Sequence, residues 1–194
     1  MKILVTGFEP FGSLPLNSSW ETVKRLPDNI GGCEIVKIEL PVVFGEAADI
    51  AFSYATEIKA DAVLLVGQAE GYKAVAVERV GLNLRDARIP DNRGNRPSDE
   101  PVREGGENAL FVTLPVKDIV EAIKDKGIAC VISYSAGTYV CNDILYSLLH
   151  DFGEEKNIGF IHLPELNNKN GISDLDMVTA ITVAIETISH KKEI

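Results

Sequence analysis

The chain carries three thiols, Cys33, Cys130 and Cys141, and three imidazoles, His150, His162 and His190, the side chains best suited to nucleophilic attack and proton transfer near neutral pH. Cys33 and Cys130 sit within or beside apolar strand-like runs, where cysteine behaves as a small inert hydrophobe. Cys141 follows the strand-to-helix turn Ser133–Val140 and falls in the first turn of the expected helix. The helix dipole and unpaired N–H groups there favour an anionic sulfur, which is a nucleophile. A buried structural cysteine also fits that place, since helix starts bury cysteines too. His190 lies in a polar run and reads as solvated. His150 ends the helix that begins near Cys141, where it complements the dipole. It is roughly 13 Å from Cys141 along the axis, too far to take its proton. His162 ends an apolar run, and among the three it is the base best placed to serve Cys141.

An imidazole acting as base needs a group to orient it. Glu78 stands out because it interrupts the apolar alternating stretch Val75–Val80. Among twenty-nine acids it is not singled out by its chemistry, and a surface Glu78/Arg79 pair on an edge strand is the plainer reading.

These residues must be positioned by an alternation of strands and helices. Strands are expected over Lys2–Thr6, Cys33–Leu40, Asp61–Gly67, Ala129–Ser133 and Ile158–Leu163. A longer, partly exposed antiparallel strand is expected over Ala74–Leu84. Helices are expected from Ser18 to about Leu26, over Gly45–Lys59, Val116–Lys126 and Thr138–His150, and over Ser173–His190 with Ser173 as cap. Ser18 and Glu21 read as a capping box. The continuous run DAVLLVG implies a strand covered on both faces. The expected fold is a single α/β domain over residues 1–194, with a twisted, mostly parallel sheet, one longer antiparallel strand and helices on both faces. Residues 85–108, rich in Pro, Gly, Asp, Asn and Arg, read as a long functional loop. In such sheets the site forms beyond the carboxyl ends of the strands, which here carry Gly7–Gly12, Gly67-Gln68, Ser133–Cys141 and His162–Pro164.

Length and composition bound the function. The 194 residues hold nineteen Lys+Arg against twenty-nine Asp+Glu, a formal net charge of −10. That field disfavours non-specific binding to nucleic acid or to an anionic membrane, and no run approaches the roughly 20 apolar residues of a membrane span. Ile3-Leu4-Val5 is too short for a signal-peptide core. Three widely spaced cysteines without a CxxC pair argue against a disulfide framework or zinc site, so a reducing cytoplasm is the expected location.

Taken together, GFEPFG at residues 7–12, GQAEG at 67–71 followed by VERVGLNL at 77–84, DARIPDNRGNRP at 86–97, SYSAGTYVCND at 133–143 and FIHLP at 160–164 resemble the pyroglutamyl peptidase I family. The resemblance spans nearly the whole chain in the right order. It implies a cysteine exopeptidase that removes an N-terminal 5-oxoproline residue through a thioester, with Cys141 as nucleophile, His162 as base and Glu78 as the orienting carboxylate. It also implies Phe8 and Phe11 as walls for the ring, Asn17 and Gln68 near the pocket, and Arg88 near the site. Neither metal nor cofactor is expected, and a dimer or tetramer is. Two departures stand out: Ala76-Val77 occupies the place where the family commonly has Thr-Pro, and Glu165–Lys169 replaces an aromatic and Pro-rich stretch. Two other readings keep different classes open. A glutamine-amidotransferase-like amidase would want a Gly-x-Cys-x-Gly elbow, which Val140-Cys141-Asn142 lacks. A redox-sensing or small-molecule-binding α/β protein would carry Cys141 without turnover.

Overall fold

The structure, a computed structural model, describes residues 1–12, 14–166 and 172–190. Its strands are β1 (Lys2–Phe8), β2 (Asn29–Ile30), β3 (Cys33–Leu40), β4 (Ala62–Gln68), β5 (Val75–Glu78), β6 (Val80–Leu82), β7 (Ala109–Phe111), β8 (Cys130–Ser133) and β9 (Asn157–Leu163). The helices are α1 (Ser18–Val23), α2 (Glu46–Glu57), α3 (Val116–Asp125), α4 (Val140–Phe152) and α5 (Asp174–His190).

One sheet runs in the order β2-β3-β1-β4-β9-β5-β8. Its centre is parallel, with β1 beside β3 and β4, and β4 beside β9. β1, β4 and β9 are apolar and almost wholly buried, as strands covered on both faces must be. Helices α1, α3 and α5 pack together on one side, and α2 with α4 on the other. The α/β architecture with helices on both faces is thus the one expected.

The segment read as one antiparallel strand over Ala74–Leu84 is two strands. β5 runs antiparallel to β9, while β6 leaves the sheet to pair with β7 against α4. The break falls at Arg79, whose N–H donates to Ser133 O and whose carbonyl accepts from Val112 N–H. β8 runs parallel to β5, so the sheet ends in a reversed pair.

Asn17, rather than Ser18, caps α1. Its Oδ1 accepts from Ser19 N–H at 3.0 Å and from the Ser19 hydroxyl at 2.7 Å. Ser18 N–H instead donates to Gln68 Oε1 at 2.8 Å, and Glu21 pairs with Lys24. The helix also ends earlier than expected, at Val23. Ser173 does cap α5, exchanging hydrogen bonds with Asp176. α1 lies directly on β1: a Cβ on Gly7 would come 2.6 Å from Trp20 Cα, so glycine is needed for the helix to sit there and fix Phe8.

Candidate active site

The functional side chains arrive from strand ends and one helix start. Cys141 is the second residue of α4, following the extended Tyr139 that starts the helix. The two residues after it bind the surroundings to the helix. Asn142 accepts from Leu82 N–H at 2.8 Å and donates to the carbonyls of Leu82 and Leu84. Asp143 accepts from Gly45 N–H at 2.7 Å and from Arg85 Nε at 2.6 Å. Both are fully buried. The Cys141 sulfur lies over β4 at Gly67, where a Cβ would be 3.1 Å from Sγ and 2.6 Å from Phe160 Cζ. Glycine at position 67 therefore makes room for both the Cys141 sulfur and the Phe160 ring.

His162 is paired in register with Gly67 across β4–β9, and with Ala76 across β9–β5. Its Nδ1 meets Glu78 Oε1 at 2.8 Å, and both residues are buried. That bond holds the ring through Nδ1 and leaves the other ring nitrogen free, with Cys141 near enough to act on the same imidazole. Burial opposes a charged imidazole. The hydrogen bonds and negative fields of Cys141 and Glu78 outweigh it and raise His162 from its ordinary 6.5 to about 9. Glu78 is not on a solvated edge: β8 covers β5 on its far side, and Glu78 lies opposite Ser133.

Cys141 opens onto a cavity of about 320 Å³ lined by Phe8, Phe11, Asn17, Val42, Gln68, Tyr139 and Val140. Phe8 is buried and stacks on Phe160, while Phe11 is half-buried against Tyr139. Gln68 spends its Oε1 on Ser18 N–H, a donor that fixes which way the amide faces, and its buried Nε2 has no partner among the described residues. Asn17 lines the cavity too, with Oδ1 in the cap of α1 and Nδ2 donating to Glu9 O. Arg88 stands exposed on its loop and is not among the lining residues. Of the segment Glu165–Lys169 after the His162 strand, residues 167–169 lie outside the described residues.

The remaining cysteines and histidines take the quiet roles expected of them. Cys33 and Cys130 are buried, and burial pushes the Cys130 thiol up to about 11. His150 meets Asp151 at the surface end of α4 and His190 is exposed. Among the described residues no cluster of His, Cys, Asp and Glu could hold a metal ion. No described helix is long and apolar enough to cross a membrane.

Sequence reasoning missed the framework around these residues. Asp91, buried in the loop after β6, accepts from the backbone N–H of Phe44, Arg93 and Asn95 and from the Asn95 side chain. Burial opposes its charge, but these donors hold it below the usual carboxylate range. It therefore pins the loop to the cavity wall, helped by Tyr139 OH donating to Pro90 O. An Asp ahead of an Asn-Arg-Gly turn was the available signal. Asn142 and Asp143 gave none, because polar residues in a first helical turn are ordinary.

A thiol, an imidazole and a buried carboxylate packed together on an α/β sheet are groups of the kind a cysteine hydrolase uses. A family model for pyroglutamyl peptidase matches residues 1–191, and the chain belongs to that family. It is 48% identical over 198 residues to pyrrolidone-carboxylate peptidase 2 of Caldanaerobacter subterraneus, covering 97% of this chain and 96% of the relative. It is 43% identical over 203 residues to a pyrrolidone-carboxylate peptidase of Streptococcus pneumoniae, covering 100% and 95%. The crystal structure of pyroglutamyl peptidase I of Bacillus amyloliquefaciens superposes with a TM-score of 0.93 at 38% identity, covering 97% of each chain.

Proposed function

We propose that residues 1–194 act as one catalytic domain that removes an N-terminal 5-oxoproline residue from peptides. The observation that carries this reading is the buried Glu78–His162 pair against a sulfur that opens on an apolar cavity with one unpaired amide donor. A 5-oxoproline ring has no charge to grip. It offers a flat apolar surface, a carbonyl and one N–H. Phe8 and Phe11 supply flat walls, and Gln68 Nε2 is placed to donate to the ring carbonyl. An uncyclised or lactam-free ring would leave that donor buried and unpaired, at a cost on the order of 1–3 kcal/mol. Asn17 acts by fixing the wall, since both ends of its amide are already bonded to protein.

In this reading Cys141, as thiolate, attacks the carbonyl carbon that joins the 5-oxoproline residue to the peptide. Backbone N–H groups at the start of α4 stabilise the oxyanion. Collapse breaks the C–N bond as the imidazolium of His162 gives its proton to the leaving amine. The neutral imidazole then takes a proton from water as that water attacks the thioester, releasing 5-oxoproline and restoring the thiolate. Glu78 holds the ring through Nδ1 so that the other nitrogen faces sulfur and substrate in turn. Arg88, exposed and outside the cavity lining, is given no part in this sequence of events.

Three free thiols fit a reducing, cytoplasmic setting, and the exposed side chains of Phe111, Val131 and Tyr134 supply apolar surface for a dimer or tetramer. Light scattering tests the assembly. For the activity, release of 5-oxoproline from a blocked fluorogenic amide should be abolished in Cys141→Ser, and wild-type rates in that variant would end the proposal. Rapid, pH-dependent alkylation of Cys141 without any turnover by the wild type would favour a sensor instead.

A further inference from the structure

Tyr72 lies in the connection between β4 and β5, two strands that end in Gln68 and Glu78. Its ring meets the His162 imidazole edge-on, with centroids 6.0 Å apart and planes at 60°. Its hydroxyl stands near the Ser133 side chain on β8, and it lies in the fields of Glu78 and Cys141. The side chain thus spans β9, β5 and β8 at one place. The Phe160 ring lies 4.6 Å from the imidazole, centroid to centroid, so two aromatic rings contact it. Glu78 is fully buried although it is the last residue of its strand, and Tyr72 is the half-buried side chain beside it.

We propose that Tyr72 is a positioning residue for this site: its ring shields the Glu78–His162 pair from water and fixes the imidazole in the orientation that reaches Cys141. The inference rests on the reading of Glu78, His162 and Cys141 as the reacting groups. The ring, rather than the hydroxyl, supplies the cover. Among the described residues the titratable groups facing His162 are Glu78 from β5, Cys141 from α4 and Tyr72 itself. With the cover gone, water screens the first two, and the imidazole moves back toward its behaviour in water.

The test compares Tyr72→Phe, Tyr72→Leu and Tyr72→Ala with the wild type. It measures kcat and KM on a fluorogenic pyroglutamyl amide, and the rate of Cys141 alkylation by iodoacetamide, from neutral to alkaline pH. Tyr72→Ala should lose about tenfold or more in kcat with KM within about twofold, as expected when a reacting group is misplaced without loss of substrate contact. Its alkaline limb of turnover should move to lower pH, and alkylation at neutral pH should slow as the thiolate–imidazolium pair is lost. Tyr72→Phe, which keeps the ring, should recover most of kcat, and Tyr72→Leu should fall between them. An unshifted limb with wild-type kcat in both Tyr72→Ala and Tyr72→Leu overturns the inference. So does a rise confined to KM, which would make Tyr72 a substrate contact, or a Tyr72→Phe variant as impaired as Tyr72→Ala. If the wild type itself released no 5-oxoproline, the proposed activity would fail, and the alkylation profiles alone would decide the role of Tyr72.

Discussion

Replacing Glu78 with Gln tests the chemistry of the site most directly. The side chain keeps its size and can still accept from His162 Nδ1, but its charge is gone. In the wild type His162 is held protonated up to about 9 against an ordinary 6.5, which corresponds to roughly 3 kcal/mol favouring the imidazolium. Burial, the largest single influence on the ring, opposes this, so the two partners supply more than the net amount. Removing one of them should lower the imidazole by on the order of one to two pH units. At pH 7 roughly a tenth to a half of the imidazolium would then be lost, and the rest of the effect on turnover comes from a ring no longer held by a charged partner. The expected result is a fall in kcat/KM on the order of 10³–10⁴, the scale at which loss of the acid orienting a catalytic imidazole is felt. The assay is the pH profile of turnover alongside the pH profile of Cys141 alkylation. The alkaline limb of turnover should move down, whereas alkylation, which needs the thiolate and no proton from His162, should not fall at high pH in either protein. Because the folded-state value is raised, the associated stabilisation is complete below about 6.5 and disappears as pH climbs through about 9. Wild-type melting temperature should therefore fall across that window, and that of Glu78→Gln should fall less. A variant within twofold of wild-type turnover, with its limb in place, would refute the role assigned to the carboxylate.

Three further outcomes are expected. Gly67→Ala puts a methyl 2.6 Å from Phe160 and 3.1 Å from the Cys141 sulfur; it should cost about 1–3 kcal/mol of stability in denaturant titration and most of the activity. Gln68→Leu removes the unpaired donor from the cavity; KM for a pyroglutamyl amide should rise about tenfold or more, with little change in alkylation of Cys141. Asp91→Ala frees four donors and the loop they hold; thermal unfolding should show a loss of about 2–4 kcal/mol, with KM affected more than kcat. Since the Asp91 carboxyl is held below its ordinary range, that stabilisation is present above about pH 4 and is lost as pH falls further.

How far the sequence reads ahead of the structure depends on where each signal is stored. Cys33–Leu40 is a strand between the very residues expected, because its turn residues and alternation are local. The pair Cys141 and His162 was visible as a helix start and a strand end that face one another in this class of fold. Glu78 was not selectable from its own neighbourhood. What makes it special is that β8 closes over β5, a pairing between segments some fifty residues apart, and only the family resemblance pointed to it. The break at Arg79 is marked in the sequence by no more than a slip of phase: Val75 and Val77 keep one alternation, and Val80 and Leu82 resume it one residue out of step, where the chain changes sheets. β2 and β7, of two and three residues, are too short to carry a period. Asn17, Ser18 and Ser19 are all competent caps, and the choice was made by Gln68, whose carbonyl claims the Ser18 N–H. Gly67 looked like punctuation at a strand end, whereas its lack of a side chain is what lets the sulfur approach.

The clasp formed by Asn142 and Asp143 has a consequence for how the molecule breathes. The amides of Leu82 and Gly45, distant in sequence, are both bonded to side chains from the same turn of α4 that carries Cys141. Neither can open to solvent while that turn stays in place, so deuterium should enter both at a common rate. The nucleophile and two of the loops around it then fray as a unit, and an excursion that disarms the sulfur also dissolves its surroundings.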